Sequence, residues 1–321
     1  MTSKDVPSAE EIILYSKDPA TKIATITLNR PDHLNAPTVD ARLRYAEMIH
    51  RANIDDDVKV LLIRGAGSNL GSGVDLPDFL AGRGPDATND ELLHEFKLDG
   101  TDVVYPPRGS LRHGATIGQW FANPESGCRT LQDFKKISIV EAKGYCYGWH
   151  FYQAADADLV IASEDTLFGH AAFRYAGWGP RMWTWAQMMG LRKFQEMVFT
   201  GRPFTAQEMY QCNFVNRVVP IDQLDAEVEK YALACSRTRP TDTVFVQKVL
   251  FEIMKQSQGE YMGSILTALV ESMGSQVQPD ASDLQLTEET LDEGLAKSVK
   301  SNDEQFPPDF RLSKAGRRAP S

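Results

Sequence analysis

Two apolar runs, at residues 58–63 and 137–142, each lead into a glycine-bearing turn, and that pattern restricts the fold of this chain more than any other feature. A strand as continuously apolar as Val58-Lys59-Val60-Leu61-Leu62-Ile63 has no wet face, so it belongs in a sheet covered on both sides. It opens onto Gly65-Ala66-Gly67-Ser68-Asn69-Leu70-Gly71-Ser72-Gly73-Val74-Asp75-Leu76, whose glycines permit positive φ and close approach of backbone to a ligand. The second run passes through Lys143-Gly144-Tyr145-Cys146-Tyr147-Gly148 into a short helix and then a further apolar strand at 159–162. Strand, glycine loop, helix and strand in repetition predict an α/β architecture.

The flanking segments fit that frame. Residues 12–16 and 23–28 are β-rich and separated by Lys17-Asp18-Pro19, which predicts a hairpin. Val39, Leu43, Ala46 and Ile49 recur at helical spacing and predict an amphipathic helix over 38–53. Residues 77–135, with Pro106-Pro107 and a Gly/Asp-rich 82–90, read as a long excursion carrying one or two helices, of the kind that forms lids or pocket walls. From Leu191 the spacing is mostly helical, over 191–199, 205–212, 222–237, 241–256, 261–273 and 287–298, interrupted by a strand at 214–219. Residues 306–321 read as an extended tail.

Composition narrows the partners. A formal charge of −10 argues against nucleic acid, which needs clustered Lys and Arg, but leaves room for a small anion held by a few local bases. Cys128, Cys146, Cys212 and Cys235 have no CxxC spacing, so neither a disulfide framework nor a metal site is expected. The start, MTSKDVPSAEE, shows no leader, and no stretch reaches the length of a membrane span, so a cytoplasmic protein is expected. The glycine loop at 65–76 matches GxGxxG poorly, and no dinucleotide role follows.

A glycine turn opening a helix presents free N–H groups backed by the helix dipole, which suits a developing negative charge. Many such junctions bind nothing, and geometry alone does not separate the two cases.

In order and content the chain resembles the crotonase superfamily, the enoyl-CoA hydratase/isomerase family, from about Ile23 to Gly294. The resemblance lies in ITLNRPDHLNA at 26–36, SNLGSGVDL at 68–76, KGYCYGWHFYQAADADLVIA at 143–162 and MVFTGRPFTAQEMYQCNFVNRVVP at 197–220. It implies a spiral of ββα units over 1–220, with the insertion at 77–135, and a helical region over 221–321 that builds trimers or dimers of trimers. It also implies a cleft for an acyl-CoA thioester whose carbonyl accepts hydrogen bonds from the amides of Val74 and Trp149, each worth about 3 kcal/mol to an enolate-like transition state. Coenzyme A would arrive as part of the substrate, with no separate cofactor or metal. The same resemblance places Gly73, Asp75, Gly148, Ala172, Arg174 and Trp178 against the acyl group and Arg30 and Ala36 against the coenzyme.

Hydratases of this family use two glutamates, and the resemblance aligns Tyr152 and Ala172 with them. A phenol of pKa about 10 is a poor base at neutral pH and a methyl carries no proton. His170 is the natural substitute, two residues before Ala172; if the segment is extended, His170, Ala172 and Arg174 project from one side. His150 is a second candidate, at a helix start where the dipole favours the neutral ring, and Tyr152 could donate a proton or a hydrogen bond. Asp75 fits a brace for its loop better than a reactant. Trp149 in a position usually held by a small residue either narrows the pocket or packs beneath the excursion.

Three readings follow. The first is an acyl-CoA enzyme working through an enolate, with His170 as proton carrier. The second is a β-diketone C–C bond hydrolase that needs no CoA, a branch of the fold similar in placing histidines near both loops. The third is a non-catalytic member kept for binding or assembly.

Overall fold

The computed structural model describes residues 6–81, 88–98, 102–107, 110–121, 127, 129–175, 177, 179, 181–273, 278, 280, 283–284 and 295–318. After a single-turn helix, α1 (Ala9–Ile12), the expected hairpin forms from β1 (Ile13–Asp18) and β2 (Ile23–Leu28), antiparallel with Ile13 opposite Leu28. The predicted helix is α2 (Val39–Ile54), whose N-cap Thr38 accepts from the Ala41 amide. Of the expected face Ala46 and Ile49 are buried, while Val39 and Leu43 are only half-buried; Ala41, Tyr45, Met48 and Ala52 complete the buried stripe.

β3 (Val60–Gly65), β4 (Ile137–Ala142), β6 (Leu159–Ser163) and β9 (Arg217–Val219) extend the sheet in the order β1-β2-β3-β4-β6-β9, each parallel to its neighbour from β2 onward. Alternate residues divide between two cores, as a strand buried on both faces requires. Leu61, Ile63, Val140 and Ala162 join the core that contains α2. Val60, Leu62, Ile139 and Ile161 pack instead with Leu224, Val228 and Ala232 of α11 (Leu224–Arg237). Lys59, the one charge in the apolar run, reaches the Ser236 carbonyl at 2.7 Å and that of Arg239, and so caps the end of α11.

A second sheet was not predicted. It joins β5 (Tyr145–Tyr147), β7 (Leu167–Gly169) and β8 (Phe204–Thr205), strands too short to show a period. Between β5 and β6 lies α6 (Trp149–Asp156). In the excursion, where one or two helices were expected, the described residues hold α3 (Leu76–Ala81), α4 (Asn89–Leu93) and α5 (Leu111–Phe121), and a buried Arg42–Glu95 pair ties it to α2.

From Leu191 the chain is helical as expected, in α9 (Leu191–Thr200), α10 (Ala206–Gln211), α11, α12 (Thr241–Ser257) and α13 (Glu260–Ser272); two helices before it, α7 (Ala172–Tyr175) and α8 (Met182–Met189), were not expected. Of the helix expected at 287–298 only the end lies among the described residues, as α14 (Leu295–Glu304). The tail is not extended: it makes a turn at Pro308–Phe310 and a short helix, α15 (Lys314–Arg317). No helix among the described residues is long and apolar enough to cross a membrane.

Candidate active site

The first glycine loop lies along β5 like an added strand. Leu70 N–H donates to the Lys143 carbonyl at 2.8 Å, Gly71 N–H to Tyr145 at 2.8 Å, and Tyr147 N–H back to Gly71 at 3.0 Å. That register brings Gly73 against Gly148: a methyl built on Gly148 would stand 3.2 Å from the Gly73 Cα. Gly148 has φ 55° and ψ −121°, a conformation that only glycine adopts without strain. The meeting point lies beyond the carboxyl ends of the parallel strands, where open α/β sheets place their ligands.

In these turns most amides are already used. Ser72 donates to Leu34, Asp75 to Pro37 and Gly148 to Gly169, each at 3.0 Å, and Gly73 donates to His150 Nδ1 at 3.1 Å. Among the described residues neither the Val74 amide nor that of Trp149, at the first position of α6, donates to any protein group.

His170 stands beside this point. A methyl on Gly148 would lie 3.8 Å from its Nδ1, which is buried and has no hydrogen-bond partner in the described structure. Its Nε2 is 3.3 Å from the Tyr152 hydroxyl, and Tyr152, Phe173 and Trp185 surround the ring at 4.9–6.0 Å between centroids. Burial lowers its pKa to about 4, so the imidazole is neutral at physiological pH. Phe173 and Trp185 were not singled out in the sequence.

Several expectations need correction. The segment 170–174 is not extended: β7 stops at Gly169 and α7 starts at Ala172, so His170, Ala172 and Arg174 do not share a strand face. Arg174 turns away to bind Asp303 at 2.8 Å and the Phe310 carbonyl at 2.7 Å. His150 is no free base, because its Nε2 faces the Asn35 carbonyl at 3.1 Å and its Nδ1 accepts from Gly73. Burial, rather than the helix dipole, is the main cause that lowers its pKa to about 3. Arg30 is buried, paired with Asp75 and bonded to the Ala36 carbonyl at 3.0 Å, which occupies a cation expected to meet the coenzyme. Arg64 and Lys143 both pair with Glu141.

The Trp149 side chain packs under the excursion: its Nε1 donates to the Gly127 carbonyl at 2.8 Å and its ring meets Tyr45 edge-on. Asp75 braces its loop through Arg30 and through the Asp78 amide at 3.2 Å. Trp178 lies outside the described residues. His33, His50 and His94 are exposed, and His113 packs on Tyr105. A cavity of about 580 Å³ lies elsewhere, between α12 and the start of β4 and β6. Among its bases Lys248 and Lys135 are already paired with Asp158 and Glu252, and no histidine lines it. No cluster of residues suited to a metal ion occurs among the described residues.

The two sheets and the pair of touching glycine turns are those of a crotonase fold. The chain belongs to the enoyl-CoA hydratase/isomerase family, whose model matches residues 113–278, just over half its length. A relative, the mevalonyl-coenzyme A hydratase sidH of Aspergillus fumigatus, is 27% identical over 229 residues, covering 69% of this chain and 72% of that protein. Among solved structures, a probable enoyl-CoA hydratase from Mycobacterium thermoresistibile is 28% identical with a TM-score of 0.66, covering 82% of this chain and 94% of its own. An enoyl-CoA hydratase from Mycobacterium smegmatis shares the fold at a TM-score of 0.76 and 21% identity, covering 94% and 97% of the two chains.

Proposed function

We propose that this protein acts on an acyl-CoA thioester through an enolate whose oxygen is held by the Val74 and Trp149 amides, with His170 carrying the proton. The observation that supports it most is that these two amides, flanking touching glycines, are left without a protein acceptor beside an imidazole nitrogen that also lacks one. Polarisation of the thioester carbonyl by two N–H donors makes the α C–H bond acidic, and each donor contributes about 3 kcal/mol as charge moves onto oxygen. With its proton on Nε2 and donated to Tyr152, His170 offers the Nδ1 lone pair to the departing α proton. Burial makes the ring a weak base, and a neighbouring enolate favours the imidazolium, which restores basicity when it is needed. Return of that proton to a different carbon is isomerisation; addition of water or loss of a β substituent would use the same enolate.

A panel of acyl-CoAs in heavy water, followed by mass spectrometry, tests this. Exchange of the α proton is expected with at least one member, and His170→Ala should slow it by about 10²–10⁴-fold. No exchange and no turnover with any member would sink the reading. The CoA-independent diketone hydrolase drew on His150 and His170 together; with His150 engaged by main chain, only His170 supports it. Turnover of a cyclic β-diketone without CoA in the same assay would put that reading first. A folded protein whose melting temperature no CoA ester moves would favour the binding or assembly role.

A further inference from the structure

We propose that residues 300–318 form a strap that positions the site, with Asp303 and Arg174 clamping the turn that carries His170 and Leu312 clamping the turn that carries the Trp149 amide. The strap lies beyond the residues matched by the family model. For its turnover arm this inference rests on the acyl-CoA reading above.

Arg174 and Asp303 are almost closed from solvent, with side chains 2% and 5% exposed. A buried ion pair is costly to assemble unless its remaining hydrogen-bonding positions are filled, and here nearly all are. Asp303 Oδ1 accepts from Arg174 Nη1 at 2.8 Å and from the Leu312 amide at 2.7 Å. Its Oδ2 accepts from the Ser313 amide at 3.2 Å and hydroxyl at 3.1 Å. The Arg174 guanidinium donates to the Phe310 carbonyl at 2.7 Å and lies 3.8 Å over the Phe306 ring. Arg174 in turn belongs to the turn that follows His170, where Phe173 N–H donates to the His170 carbonyl and Arg174 N–H to that of Ala171, each at 3.0 Å.

The opposite end of the strap holds the other half of the site. Tyr147, the residue before Gly148, donates its hydroxyl to the Leu312 carbonyl at 2.7 Å, and the Lys314 amide donates to the Tyr145 hydroxyl at 2.8 Å. Leu312 packs in one cluster with Tyr147, Leu167 and Ala171. This cluster therefore joins the neighbour of Gly148 to the neighbour of His170, and Leu312, whose amide is held by Asp303 and whose carbonyl holds Tyr147, ties it to the Arg174 turn. Misplacing a reacting group by about 1 Å costs on the order of 10²-fold in rate.

The test uses the full-length chain with ¹³C,¹⁵N-labelled histidine, the His170 signal being assigned by its loss in His170→Asn. Two variants are compared with wild type: Asp303→Asn, which removes one charge without changing shape, and Tyr147→Phe, which removes one hydroxyl. A released turn admits water to the ring, so the His170 titration midpoint is expected to rise by about one pH unit in Asp303→Asn. kcat should fall about tenfold while KM moves less than about threefold, and Asp303→Glu should recover most of the loss. Tyr147→Phe is expected to change both readouts in the same direction. Midpoints within about 0.3 pH unit of wild type in both variants would overturn the proposal, even if kcat fell, because the loss would then not pass through His170. If wild type turns over no acyl-CoA, the titration decides the positioning role alone, and the failure belongs to the proposed activity.

Discussion

The two ring nitrogens of His150 face groups of opposite kind, the Asn35 carbonyl and the Gly73 amide, and this fixes the neutral ring with its proton on Nε2. His150→Ala would leave a buried carbonyl and a buried N–H unpaired, at about 1–3 kcal/mol each. Stability in urea at pH 7 is expected to drop by about 3 kcal/mol or more, and a loss under about 1 kcal/mol would contradict the bracing role. The same burial has a pH signature. His150 and His170 have folded pKa values of about 3 and about 4 against 6.5 unfolded, so the unfolded chain binds more protons below 6.5 and stability falls as pH drops. Asp156, raised to about 6 by burial, acts oppositely and loses stability as pH rises through 6. Two histidines against one aspartate predict a lower melting temperature at pH 5 than at pH 7, with a smaller difference in His170→Asn. An unchanged difference in that variant would show that His170 titrates normally. At Gly148 a side chain meets both a forbidden φ and the Gly73 backbone. Gly148→Ala should therefore reduce α-proton exchange by on the order of 10²-fold.

At the scale of elements, the contact between the first glycine loop and β5 is what brings the two turns together, and Gly71 permits it. A methyl there would stand 2.0 Å from His150 Nε2. Gly71→Ala is expected to lift the loop from β5, which amide hydrogen exchange would report at Tyr147, whose N–H donates to the Gly71 carbonyl; unaltered protection there would contradict the account. What the sequence revealed and what it hid divide along a physical line. β3 and β4 were legible because continuous apolar runs have one stable environment, and the two turns were legible because positive φ demands glycine. The short sheet of β5, β7 and β8 was hidden because strands of two or three residues show no period. The roles of Arg30 and Arg174 were hidden because their partners, Asp75 and Asp303, lie 45 and 129 residues away along the chain. His150 misled for the same reason: its helix start is a local signal, whereas the Asn35 carbonyl that fixes its proton comes from a turn 115 residues earlier.

For the whole molecule, the strongest unmet demand is the outer face of α12 and α13. Val249, Leu250 and Ile253 on α12 are 46–60% exposed, as are Leu266, Leu269 and Val270 on α13 at 47–52%. Large apolar side chains exposed in such number on two successive helices point to an interaction surface. Closed point-group symmetry satisfies such a face on every copy without leaving an open end, and a formal charge of −10 opposes indiscriminate clustering. The face calls only for some closed assembly; the resemblance to the crotonase superfamily implies trimers, and on that ground we propose a homotrimer or a dimer of trimers. Sedimentation velocity at about 10 μM, within the concentration range where stable interfaces stay closed, should give three or six times the chain mass of 35.8 kDa. Leu250→Glu combined with Leu269→Glu, which puts a charge into each helix face, should shift the protein to single chains while far-ultraviolet circular dichroism stays folded. A wild-type protein that sediments as one chain at every concentration would remove the case for assembly and leave the apolar face to a partner of a different kind.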